Sequence, residues 1–169
     1  DRCAAILVDY LDTPLTTLMF EEVEGESPLR QTANAQPVIY SLGAALVNLW
    51  RSWGITPDAI LGHSLGEDCA AYAAGVFSME DGLRFVAERG RLMQSLPQDW
   101  QMIAVFSDAA TAEAAFAANG AQAEIAAYNG ALQLLVGARV ADMPRVEEAL
   151  RAADITFREV GVSHAFHTA

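Results

Sequence analysis

The stretch ILGHSLGED, residues 60–68, decides how the chain is to be read, because it sets a lone serine between two glycines at a change of local pattern. Before it, Asp58 to Gly62 forms a short apolar run bounded by Pro57 and Gly62, which suits a buried parallel strand. After it, LGEDCAAYAA (65–74) is rich in small helix formers and is closed by Gly75. Ser64 is thus expected where a strand turns into a helix, the setting of a nucleophile elbow. Gly62 and Gly66, lacking Cβ atoms, let backbone pack against such a turn, and the N–H of Leu65 at the helix start is placed to donate to an oxyanion. The plainer alternative is a hydroxyl that serves only the turn.

Working outward, TANAQPVIYSLGAALVNLWRSWG (32–54) reads as a helix, with Pro37 in its first turn, a stripe of Val38, Leu42, Ala45, Leu49 and Trp53, and Gly54 as its stop. A further helix opens at Ser78, with Asp81 three residues on as a partial capping box, and runs to Pro97. From Gln101 to Val160 the rhythm changes: a strand (101–106), a helix (108–120), two strands (123–129 and 132–138) about Asn129-Gly130, a helix (141–154) and a strand (155–160). That β-α-β-β-α-β order is the ferredoxin-like arrangement. The expected class is α/β: an α/β-hydrolase-like core with a parallel sheet, carrying an inserted ferredoxin-like subdomain. The expected boundaries are 1–98 for the core, 99–161 for the small subdomain and 162–169 for the return to the core.

At 169 residues, 53% of them apolar and 19% charged, the chain can bury a real core. A formal charge of -12, from 22 acids and 10 bases, argues against nucleic acid and against anionic membrane surfaces, since both need clustered positive charge. All the bases are arginines; there is no lysine. Cys3 and Cys69 are too few for a disulfide framework and lack zinc-site spacing, so a reducing cytoplasm and no metal are expected. No apolar run reaches the ~18 residues of a membrane span. The chain lacks an initiating methionine, and is expected to begin inside a longer protein.

A serine nucleophile needs a base, and the chain has three histidines: His63, His164 and His167. His63 adjoins the serine and starts on another side of the backbone. The better candidates lie in VSHAFHTA (162–169), after the last strand. Arg89 stands out for another reason: its helical neighbours Phe85, Val86, Leu92 and Met93 are apolar, whereas Arg84 and Arg91 face Glu80, Asp81, Glu88 and Gln94. A guanidinium in an apolar stripe must meet an anion. An internal Asp or Glu would serve, and so would a substrate carboxylate gripped bidentately.

Together, TANAQPVIYSLGAALVNLWRSWGITPDAILGHSLGE, AAGVFSMEDGLRFVAERGRLMQ and the terminal SHAFH resemble the acyltransferase domains of modular polyketide synthases, relatives of malonyl-CoA:acyl-carrier-protein transacylases. The resemblance implies that Ser64 takes an acyl group from a coenzyme A thioester, that His167 is its base and that Arg89 binds the free carboxylate of a malonyl-type unit. It implies transfer to the phosphopantetheine thiol of an acyl carrier protein, beside domains such as a ketosynthase, with no bound cofactor. Gln36 and Asn129 match pocket-lining positions, and His63, His164 and Phe166 belong to the selectivity motifs. Leu65 after the serine, with HAFH at the histidine, matches malonyl-selective members, Phe166 filling the space of an α-methyl group. Four features depart from the family pattern: Asp68 stands where an aromatic or aliphatic residue is expected, HTA replaces HSP, and both a GQGSQ-like N-terminal loop and the C-terminal part are missing, so weak activity or none is expected of the 169 residues alone. The rival expectations are a serine hydrolase using Asp154, and an incomplete fragment acting as a docking domain.

Overall fold

The computed structural model describes residues 1–22, 24–162 and 164–168. Ser163 and Ala169, within the expected return segment 162–169, lie outside the described residues. The fold is mixed α/β and divides into two compact units, Asp1–Ser95 and Leu96–Ala169.

The N-terminal unit is helical. Short helices α1 (Arg2–Leu7) and α2 (Leu15–Phe20) precede a 3-10 turn (Pro28–Arg30) and the long α3 (Thr32–Ser52). Then follow α4 (Gly66–Ala73) and α5 (Met79–Gln94). The Ser78 hydroxyl caps α5 by accepting the Asp81 N–H at 3.0 Å, as the partial capping box predicts. Leu7, Leu15, Tyr40, Ala44, Leu65, Met79, Leu83, Val86 and Ala87 form the core, and the Cys69 sulfur lies against Gly43 of α3.

Two expectations fail in this unit. Residues 58–62 form no strand, and every strand pairing among the described residues is antiparallel, so the parallel sheet is not found. A strand is a pairing rather than a property of one segment: none of the described strands pairs with the run 58–62, and Leu61 is 97% exposed. Of the predicted stripe of α3, Val38 packs against the core, but Leu42, Ala45, Leu49 and Trp53 lie on the wrong side. Leu42, Leu49 and Trp53 are exposed, while the buried face carries Thr32, Gln36, Pro37, Tyr40, Ser41 and Ala44. Pro37 lies inside the helix, past its first turn.

The physical reason for the inverted face is the approach of α5. A Cβ at Gly82 would overlap the Tyr40 phenol, and one at Gly90 would come within 3.0 Å of the Thr32 carbonyl. These two glycines, about two turns apart, let α5 lie against the Thr32–Tyr40 side of α3.

The C-terminal unit runs β1 (Trp100–Val105), α6 (Ala109–Asn119), β2 (Glu124–Gly130), β3 (Gln133–Arg139), α7 (Met143–Ala152) and β4 (Phe157–Glu159). The four-stranded sheet has the order β2-β3-β1-β4, with Met102 opposite Gly137 in the central pair. Ile103, Val105, Leu134 and Val136 meet Ala112, Phe116, Val146 and Leu150, so α6 and α7 cover one face. Asp108 caps α6 through the Thr111 N–H at 2.9 Å, and Gly120 ends that helix in the left-handed region.

Gly82→Ala is expected to push α5 away from Tyr40 and to lower stability by about 1–3 kcal/mol, the usual cost of overpacking. Urea denaturation followed by circular dichroism measures it.

Candidate active site

Ser64 sits in the two-residue turn that feeds α4, with φ of 51°. A left-handed conformation is costly for a residue with a side chain, and its presence at a serine marks a tight elbow. The elbow closes through hydrogen bonds from the N–H groups of Gly66 and Glu67 to the carbonyls of His63 and Ser64, at 2.8 and 2.9 Å. Gly62 is required here: a Cβ would overlap the backbone of Gly66 and Glu67. Leu65 precedes the first residue of α4 and is buried, whereas His63 is exposed. The N–H of Leu65 is not used to close the turn, which leaves it at the positive end of α4.

Arg89 lies half-buried on α5, at the border of its buried face: Val86 is buried and Phe85 and Leu92 are exposed. Among the described residues it makes no ion pair. Its Nη1 donates instead to Oε1 of Gln36, a residue buried on α3. Gln36 is held in turn, its Nε2 donating to Thr32 Oγ1 at 2.7 Å and to Met93 Sδ at 3.2 Å. A neutral amide orients the guanidinium without neutralising it, so the positive charge is available to an incoming anion. The amide link was not foreseen; a buried glutamine four residues after a threonine on one helix face is the signal that could have found it.

The other candidates belong to the C-terminal unit. His164 is buried, and its Nε2 donates to the Leu96 carbonyl at 3.0 Å, which makes it a poor choice for a base at that nitrogen. Its ring lies 6.4 Å from that of Phe166. His167 is exposed, with φ of 61°, in a turn that the Thr168 hydroxyl closes by donating to the Ala165 carbonyl at 3.1 Å. Asn129 is exposed near the end of β2. Asp154, the acid a hydrolase would need, is an exposed turn residue with φ of 56° just after α7. No group of three or more metal-ligating side chains occurs among the described residues. No described helix is long and apolar enough to cross a membrane.

A family model described as the acyl transferase domain matches residues 1–169. The chain belongs to this acyl transferase family. It is 39% identical to mycoketide-CoA synthase of Mycobacterium tuberculosis over 96% of its length, and 37% identical to polyketide synthase GfsA of Streptomyces halstedii over 99%. Among solved structures it superimposes on the malonyl CoA-acyl carrier protein transacylase of Burkholderia pseudomallei with a TM-score of 0.85, at 29% identity over 99% of the chain. The chain spans 4% and 2% of the two synthases and 58% of the transacylase.

In this acyl transferase domain Asp68 adds a charge of its own to the first turn of α4. Burial pushes its carboxyl above the ordinary aspartate range, the Arg89 guanidinium pulls it part of the way back, and Glu67 raises it again. The folded chain therefore holds this proton more tightly than the unfolded chain. The stability tied to it is present below the ordinary aspartate value and is lost as pH rises through the raised one. Asp68→Asn is expected to flatten that loss, read as a shallower fall of Tm across the mildly acidic range.

Proposed function

We propose that the chain transfers a malonyl-type unit from a coenzyme A thioester, through an acyl-serine on Ser64, to the phosphopantetheine thiol of an acyl carrier protein in polyketide assembly. The observation that carries this reading is Arg89: a half-buried guanidinium held by the Gln36 amide, ion-paired to no described carboxylate, in the same compact unit as the Ser64 elbow. Such a group suits a substrate that bears its own carboxylate. The names of the relatives, two synthases and a transacylase, point the same way.

In the mechanism, His167 accepts the Ser64 proton as the serine oxygen attacks the thioester carbonyl. The Leu65 N–H stabilises the oxyanion, the C–S bond breaks, and coenzyme A leaves with the proton from His167. The carrier thiol then attacks the acyl-serine by the same steps in reverse order, returning the serine proton. Gln36 orients Arg89, while His63, Asn129, His164 and Phe166 line or shape the acyl pocket, Phe166 favouring malonyl over its α-methyl homologue. A ketosynthase is a neighbouring domain, and the cytoplasm is the compartment. At the level of fold, we read the chain as a hydrolase-like core, residues 1–98 and 162–169, with a ferredoxin-like subdomain at 99–161. The element order of the C-terminal unit and its β2-β3-β1-β4 sheet support the second part.

Intact-mass analysis after exposure to malonyl-CoA tests the chemistry. A malonyl adduct is expected on the wild-type chain and none on Ser64→Ala. Arg89→Ala should lower malonyl labelling by about tenfold to a hundredfold, the worth of a charge-assisted hydrogen bond, and leave acetyl labelling intact. Release of free acid at one rate with and without carrier protein would replace the transferase reading by hydrolysis.

A further inference from the structure

We infer that Gly137 and Met102, cross-strand partners in the centre of the sheet, are positioning residues that fix the turn bearing His167. The inference rests on His167 being the base. Along β1, Ile103 and Val105 point into the core formed with α6 and α7. Alternation along a strand sends Met102 to the opposite face. There the Met102 sulfur accepts the N–H of Phe166 at 3.3 Å, although Met102 is only 3% exposed. Thioether sulfur is a weak acceptor, so this bond holds the turn only because the surfaces also fit.

Gly137 supplies the fit. A Cβ built at this position would lie 2.6 Å from Cγ2 of Thr168, 3.6 Å from Cβ of Ala165 and 3.7 Å from Cε3 of Trp100. The residues on either side of Phe166 and His167 thus rest on bare backbone. Two further bonds steady the same segment: His164 to the Leu96 carbonyl, and the Thr168 hydroxyl to the Ala165 carbonyl. His167 itself is exposed, with its backbone in the left-handed region, so its Cα–Cβ bond leaves from the turn seated on Gly137 and Met102. A displacement of the turn becomes a displacement of the imidazole.

The clash expected at position 137 is with one methyl group, and that makes the test specific. In the full chain, Gly137→Ala is expected to lower kcat for malonyl transfer by about tenfold to a hundredfold, the cost of a base misplaced by around 1 Å, with KM for malonyl-CoA unchanged. Thr168→Ser removes Cγ2 and keeps the hydroxyl that bonds Ala165, so Gly137→Ala with Thr168→Ser should recover most of the loss. Met102→Leu keeps the volume and deletes the sulfur acceptor; it should shift the Phe166 amide resonance and lower kcat without changing KM. Nuclear magnetic resonance of the Phe166 amide and the His167 ring follows the turn independently of catalysis, with both signals moving in Gly137→Ala and returning in the double variant. Unmoved resonances in Gly137→Ala and Met102→Leu, or a loss that Thr168→Ser does not relieve, would overturn the inference. Full activity in His167→Ala, with the resonances behaving as expected, would instead remove His167 as base and leave the seat of the turn standing.

Discussion

The close approach of α5 to α3 is the constraint on which the N-terminal unit depends. It exists because Gly82 and Gly90 present no side chain toward Tyr40 and Thr32. Once the two helices lie that near, Gln36 is enclosed between them, and its amide must find partners or leave polar atoms stranded. It finds three: Thr32, Met93 and Arg89. The orientation of Arg89 is thus a by-product of helix packing. The same packing leaves the Tyr40 hydroxyl buried with no partner among the described residues, and burial raises its pKa first, with nearby Cys69 adding to the effect.

A different arrangement governs the C-terminal unit. Its sheet has one face filled by α6 and α7 and the other met by the terminal turn. Two of its arginines are occupied by neighbouring acids, Arg139 with Asp99 at 2.8 Å and Arg151 with Glu147 at 2.6 Å. Exposed pairs of this kind add little stability but do cancel charge. The acidic balance of the whole sequence is therefore not relieved by these residues.

Local signals in the sequence led to the elements that local chemistry controls. Ser78 opens α5, Gly120 closes α6, and short apolar runs mark β1 and β3. The elbow was legible for the same reason, since Gly62 and Ser64 are close in sequence; Gly66, expected to serve the same close packing, has open space where a Cβ would sit, and the turn does not require it. What depended on distant partners was not legible. The stripe of α3 was assigned by hydrophobicity, yet the face that meets α5 is the one with room for the Tyr40 ring and the Gln36 amide. The run 58–62 has the composition of a strand and no described strand to pair with. Arg89 was recognisable as an outlier by spacing alone, but its amide partner lies fifty-three positions away on another helix, beyond any local pattern.

The placement of Cys69 carries a last consequence. A thiol five residues past the elbow serine would, if ionised, be a rival acceptor for any acyl group delivered as a thioester. Packed against Gly43, the sulfur is partly withdrawn from water, and burial, with help from Asp68, pushes its pKa up. A protonated thiol is a poor nucleophile. The chain also offers no lysine amine as an alternative sink. Next to the elbow, then, the nearest thiol is made a poor nucleophile by its packing, and no lysine amine is present anywhere in the sequence.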